Sequence, residues 1–198
     1  LANRKECLYT LKELGYQVGA GFMVGAPGQT FECLAEDLIF LHDLQPEMIG
    51  IGPFLPHHET PFAHEEKGSY EMTIYLLSVL RVMFPNVLLP ATTALGTIKA
   101  TGREQGMLAG CNVVMPNLSP QRFRKGYQLY DNKPCLDDEP THCASCLERR
   151  IESRGRLVGW NMSGSSRRFL RRVGRPDEVR PIKEFPAEGK RLIRLHSV

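Results

Sequence analysis

Gly21-Phe22-Met23-Val24-Gly25-Ala26-Pro27-Gly28-Gln29-Thr30 is the stretch on which the fold turns. A short apolar run closes on a glycine, turns through Pro and Gly, and ends on a threonine able to cap a helix. It reads as strand, tight turn and helix start in immediate succession. Upstream, residues 3–14 read as a helix stopped by Gly15, and Tyr16–Val24 as the strand itself. Downstream, Phe31, Leu34, Leu38 and Leu41 share one helical face, and Pro46 ends the connection to a second strand, Met48–Pro53.

The unit then repeats. Ser69 caps a helix whose buried side carries Tyr70, Ile74, Leu77, Leu80 and either Val82 or Phe84. Val87–Ala91 reads as a third strand, Gly102–Ala109 as a short helix, Cys111–Met115 as a fourth strand, and Ser119-Pro120 as the start of another helical turn. Alternation of this kind predicts βαβ units and a parallel sheet. The strands are unbroken apolar runs, which predicts cover on both faces. An open doubly wound sheet and half of an eight-stranded barrel both fit, and the pattern favours the barrel. The expected fold is therefore α/β: the carboxyl-terminal half of a (β/α)8 TIM-type barrel over residues 1–126, a cysteine-bearing extension over 127–160 and an irregular basic tail over 161–198.

Composition sets the bounds. At 198 residues, 42% apolar and 24% charged, the chain has the make-up of an ordinary globular domain with a core of its own. No apolar run approaches the length of a membrane span, and no basic segment leads into an apolar signal region, so a cytoplasmic protein without membrane contact is expected. Leu1 falls inside a helical pattern, which predicts a longer parent. The net charge of +3 is unevenly spread: Ser163–Val198 carries ten Lys/Arg against four Asp/Glu, and the rest is net acidic. The body is not a nucleic-acid binder by charge, and solvated disorder explains the basic tail better than nucleic acid does.

Every loop that follows a strand carries chemistry. Besides the glycine turn there are Phe54-Leu55-Pro56-His57-His58-Glu59-Thr60-Pro61, Thr92-Thr93-Ala94-Leu95-Gly96-Thr97 and Pro116-Asn117-Leu118-Ser119-Pro120. Parallel sheets place their ligands at this end of the strands, so the clustering points to an enzyme. Glycine in the first loop lets a ligand approach the backbone, although a plain strand-to-helix turn needs the same residues. His57 and His58 are adjacent and are expected to point apart, which favours a solvent-facing rim stiffened by Pro53, Pro56 and Pro61 over a metal site. Thr92 and Thr93 suit either a carboxylate or phosphate cradle or simple helix capping.

Six cysteines without a secretory signal argue against a disulfide scaffold. Cys7, Cys33 and Cys111 stand alone and read as core residues. Cys135, Cys143 and Cys146 form C-x7-C-x2-C, a spacing that brings three thiolates to one metal. Soft thiolates select either zinc, with His142 as a fourth ligand, or an iron–sulfur cluster with one iron lacking a cysteine.

The first loop, the stretches Gly50–His57, Leu89–Thr97 and Val113–Pro120, and the closing C-x7-C-x2-C together resemble the radical SAM [FeFe]-hydrogenase maturases of the HydE type, relatives of biotin synthase and methylornithine synthase. The resemblance runs from about Tyr9 to about Arg156. It implies a complete (β/α)8 barrel, S-adenosyl-L-methionine, and a SAM-cleaving [4Fe-4S] cluster on a C-x3-C-x2-C loop. The implied chemistry is that of a 5′-deoxyadenosyl radical acting on an iron–cysteine carbonyl/cyanide precursor, alongside other hydrogenase maturation proteins. It implies SAM contacts at Met23, Gly25 and Pro53, substrate or anion contacts at Thr92, Thr93, Met115 and Tyr127, and an accessory [4Fe-4S] or [2Fe-2S] cluster at Cys135, Cys143 and Cys146.

Two departures matter. Gln29 stands where many members have Glu. No C-x3-C-x2-C occurs in these residues, so the chain by itself is expected to be catalytically inert. A biotin-synthase-like or methylornithine-synthase-like enzyme, and a zinc-stapled structural module, are the competing readings.

Overall fold

The structure, a computed structural model, describes residues 2–117, 119–124, 126, 129–131, 140–159, 164–174 and 191–195, with backbone alone for 140–143 and 191–195. Tyr127 and Cys135 lie outside the described residues.

Helix α1 (Ala2–Glu13) ends where Gly15 takes a φ of +90°, and strand β1 (Gly19–Val24) follows. Thr30 caps α2 (Phe31–Leu44), its hydroxyl accepting from Cys33 N, and Leu34 and Leu41 turn inward as their spacing requires. Phe31, expected on the same face, opens the helix and is 72% exposed. Gln45 closes α2 in the left-handed region, and β2 (Met48–Pro53) has the predicted bounds. Ser69 caps α3 (Tyr70–Met83) through Met72 N; of the two end residues in question, Phe84 is buried and Val82 is exposed.

β1 and β2 pair in parallel, from Gly19 opposite Met48 to Val24 opposite Pro53. Residues 87–91 occupy the next strand position without forming a continuous ladder. Met48 bridges Leu88 and Pro90 bridges Val113, both in parallel. The interruption is chemical: the Leu89 N–H goes to Asn112 Oδ1 at 2.8 Å, and Pro90 has no N–H to give. Helix α4 (Thr93–Ile98) forms inside the threonine-rich stretch read as a loop, and α5 (Gly102–Leu108) leads to β3 (Val113–Val114).

Beyond it come α6 (Gln121–Arg124), α7 (Pro140–Glu152), β4 (Arg156–Val158), α8 (Arg167–Arg172) and β5 (Arg191–Leu195), the last pairing in parallel with both β3 and β4. α8 lies in the stretch expected to be irregular. It is capped by Ser166, buries Leu170, and sends Arg172 to the buried Glu47 at 3.1 Å and to the Tyr16 carbonyl at 2.5 Å.

The core is formed by Val24, Ile49, Ile51, Leu77, Leu80 and Leu89 with their neighbours, on the helix side of the sheet. The opposite face is open: Gly19, Gly21 and Met23 on β1 and Gly50 on β2 are exposed. Cover on both faces was the expectation; among the described residues only one is covered. Gly21 is required there, since a Cβ would sit 1.8 Å from the Gly50 carbonyl oxygen. The described residues thus form a mixed α/β fold with a small open parallel sheet. Half-barrel closure is not itself seen. No described helix is long and apolar enough to cross a membrane.

Candidate ligand-binding site

The turn after β1 is built by one side chain. Gln29 Oε1 accepts from Gly25 N at 2.7 Å while its Nε2 donates to the Met23 carbonyl at 2.8 Å. An amide is suited to this because it offers both donor and acceptor. Gly25 has a φ of +76°, and a Cβ there would press within 2.6 Å of Gly68 Cα, so only glycine fits. On the helix side of this turn lies a cavity of about 400 Å³, lined by Gly25, Gln29, Thr30, Phe31 and Met72 among others.

Strand register aligns the candidate residues. Met23 is opposite Gly52, and Val24 opposite Pro53. Thr92 follows the Pro90 bridge by two residues, as Met115 follows its partner Val113. Met23, the Gly52–Pro53 step, Thr92 and Met115 therefore fall in one row across neighbouring strand ends. Met23 is 57% exposed, Pro53 is buried, and Met115 is half-buried. Thr92 Oγ1 crowds Gly52 so closely that a Cβ there would be 2.8 Å away, and it is buried without a hydrogen-bond partner among the described residues. Thr92 is the N-cap residue of α4 yet its side chain makes no cap bond, which sets aside the capping role the sequence allowed it. Thr93 is engaged: its Oγ1 lies 2.7 Å from Tyr130 OH.

Residue 131 holds a second connection. His58 Nδ1 pairs with Asp131 Oδ1 at 2.7 Å, and His58 N donates to Oδ2 at 3.2 Å. The hydrogen bond from Asp131 raises the His58 pKa, and the same bond lowers that of Asp131. The His57 and His58 rings stack, with centroids 4.5 Å apart and planes at 20°. The expectation that adjacent imidazoles diverge is thus corrected. Neither Tyr130 nor Asp131 was legible as a site residue, since both act across long loops on partners far away in sequence.

Of the cysteines, Cys143 and Cys146 lie three apart in α7, and Cys146 is exposed. Helix α7 is tied to α5 by Arg150, which donates to Glu104 Oε1 at 2.5 Å and Oε2 at 2.7 Å. Cys7 and Cys33, expected in the core, are exposed; Cys111 is buried. The reason for Cys7 is that α1 buries none of its residues.

No family model matches the chain. Among curated proteins it is 47% identical over 167 residues to the [FeFe] hydrogenase maturase subunit HydE of Thermotoga maritima, covering 84% of this chain and 48% of that protein. It is 28% identical over 144 residues to 3-methylornithine synthase of Methanosarcina acetivorans, covering 73% of this chain and 39% of that one. Biotin synthase of Corynebacterium jeikeium is 31% identical over 113 residues, covering 57% of this chain and 31% of that one. The chain spans about half the length, or less, of these relatives. These matches support reading the chain as a fragment of a radical SAM protein of the HydE type.

The residues present fit a bound adenosyl group and a small anion. Met23 offers exposed apolar surface beside an open glycine strand, and Thr92 offers a buried hydroxyl without a hydrogen-bond partner among the described residues. Such an orphan is destabilising by about 1–3 kcal/mol unless a ligand completes it.

Proposed function

We propose that the protein to which this chain belongs is a radical SAM enzyme that helps assemble the di-iron site of [FeFe]-hydrogenase. The observation that carries the reading is the row of Met23, the Gly52–Pro53 step, Thr92 and Met115 at the strand ends, with the Thr92 hydroxyl unsatisfied among the described residues. In this reading the open parallel sheet is half of a (β/α)8 barrel over residues 1–126, and its exposed glycine face looks into the barrel. Residues 127–160 are the cysteine-bearing extension, and 161–198 a further carboxyl-terminal segment.

Bound SAM and its [4Fe-4S] cluster, whose C-x3-C-x2-C ligands are not among these residues, would supply a 5′-deoxyadenosyl radical. The chain itself binds and positions. Met23 presents apolar surface to the adenosyl group, Gly25 keeps the backbone approachable, and Pro53 fixes the neighbouring edge. Thr92 donates its hydroxyl proton to an anionic oxygen of the substrate. Thr93 is held in place by Tyr130, and Met115 and Tyr127 complete the substrate wall. The substrate is an iron–cysteine carbonyl/cyanide precursor, and other hydrogenase maturation proteins are the partners, in the cytoplasm. Cys135, Cys143 and Cys146 hold an accessory [4Fe-4S] or [2Fe-2S] cluster. Support comes from 47% identity to a HydE maturase.

The test is SAM cleavage by the full-length protein, reconstituted with iron and sulfide under anaerobic conditions and reduced. Methionine and 5′-deoxyadenosine should appear in equal amounts. Absence of 5′-deoxyadenosine from a correctly folded, iron-loaded sample would remove the radical SAM assignment.

A further inference from the structure

The loop after β2 carries an arrangement that the reading above does not use. His57 and His58 stack ring on ring at 4.5 Å, and Asp131 comes to them from a segment 73 residues further along the chain. One donor atom from each of the three side chains falls within 4.8 Å of the others. An ion pair between His58 and Asp131 would need one imidazole only. The second, stacked on it at 20°, makes no hydrogen bond to Asp131 among the described contacts.

We propose that His57, His58 and Asp131 form a binding site for one divalent transition-metal ion of the zinc class, at the rim of the strand ends. Two imidazole nitrogens and a carboxylate oxygen suit Zn²⁺, Co²⁺, Ni²⁺ or Fe²⁺; Ca²⁺ and Mg²⁺ prefer oxygen throughout. Ligand atoms around a tetrahedral ion with bonds of about 2.0–2.1 Å are about 3.4 Å apart. To reach that spacing His58 Nδ1 and Asp131 Oδ1, now 2.7 Å apart, open slightly and the remaining distances, none above 4.8 Å, close; His58 and Asp131 are exposed enough to move. Two neighbouring contacts would adjust: His57 Nδ1 now accepts from Glu59 N at 3.1 Å, and His58 gives up its proton to the incoming ion. Prolines 53, 56 and 61 bracket the two histidines in the sequence and restrict the loop that carries them. With three protein ligands, the ion keeps at least one position open to water or an exogenous ligand.

The site has a structural consequence. Asp131 adjoins Tyr130, whose hydroxyl bonds Thr93 at the foot of α4. A metal ion there would fasten residues 130–131 to the loop after β2 as well as to α4, drawing a clip across the strand ends.

The test uses Co²⁺ as the probe, titrated into the untagged full chain in which Cys135, Cys143 and Cys146 are replaced by Ser, so that no thiolate cluster competes. Binding of one Co²⁺ per chain is expected, with weak visible absorption and no thiolate charge-transfer band. His57→Phe keeps an aromatic ring to stack while removing the ligand, and should weaken binding at least tenfold with the melting temperature unchanged in the absence of metal. Asp131→Asn should weaken it comparably. Absence of stoichiometric Co²⁺ binding, or binding unaffected by His57→Phe, would show that His58 and Asp131 are an ion pair and nothing more. The outcome is independent of SAM cleavage, so this site and the radical SAM reading stand or fall separately.

Discussion

Thr93 and Tyr130, 37 residues apart, share a hydrogen bond of 2.7 Å, while the adjacent Thr92 keeps a buried hydroxyl with no partner. Two neighbouring threonines at one strand end are thus in opposite states. One is spent on holding the chain together, and the other has no partner among the described residues.

That contrast predicts opposite mutational signs. Thr92→Val replaces an unsatisfied hydroxyl by a methyl group of the same shape and should leave stability unchanged or raise it by about 1 kcal/mol. The same change in the full-length enzyme should lower activity at least tenfold. Thr93→Val or Tyr130→Phe breaks a made bond and should lower stability by about 1 kcal/mol. Thermal melts of the three variants decide the matter: a loss of stability in Thr92→Val equal to that in Thr93→Val would mean that Thr92 is bonded after all.

The Glu104–Arg150 pair predicts a pH dependence. Burial opposes the charge on Glu104, but the Arg150 hydrogen bonds and nearby positive charge outweigh it, so its carboxyl is held below the usual carboxylate range. A carboxyl lowered on folding stabilises above its unfolded pKa, and that contribution is lost as pH falls through the lower folded value. Arg150→Met should cost about 2–3 kcal/mol at neutral pH, because it strips a buried carboxylate of its hydrogen-bonded partner. In that variant the dependence should reverse, with part of the loss regained on acidification as Glu104 protonates. Urea titrations at neutral and mildly acidic pH read both effects, and an identical pH profile in the two proteins would refute the assignment.

The free thiols should separate by burial. Burial pushes the Cys111 thiol up to about 12, so it presents almost no thiolate at ordinary pH. Iodoacetamide followed by peptide mass mapping should label Cys7 and Cys33 in the native chain and Cys111 only after denaturation. Early labelling of Cys111 would mean that the packing of α5 against residues 87–91 is looser than described.

For the accessory site, anaerobic reconstitution of the chain with iron and sulfide should produce visible charge-transfer absorption that disappears in Cys143→Ser/Cys146→Ser. One zinc and no iron per chain, bound at the same cysteines, would support the zinc-stapled alternative and exclude the accessory cluster.

Features with local causes were legible in the sequence. Thr30 and Ser69 cap the helices they precede because the cap bond closes within three residues, and β2 runs from Met48 to Pro53 as its apolar pattern indicates. Features set by distant partners were not. The Leu89 N–H is taken by the Asn112 side chain, and α8 is fastened by Arg172 reaching a buried Glu47. The stacking of His57 on His58 accompanies a carboxylate supplied by residue 131. Exposure of Cys7 and Cys33 likewise depends on which helix faces find a partner, which periodicity does not specify. The candidate row itself was half legible: Thr92 and Thr93 were singled out together, but only the structure separates the bonded hydroxyl from the free one.

The central claim, membership of the hydrogenase-maturing branch of radical SAM enzymes, is tested most directly by deleting the gene in the organism that encodes it. Hydrogenase activity and growth without biotin should then be measured side by side. The account predicts that [FeFe]-hydrogenase activity is lost and biotin-independent growth is kept, with activity restored by the intact gene and restored poorly by the Thr92→Val allele. A biotin requirement with hydrogenase activity intact would contradict it.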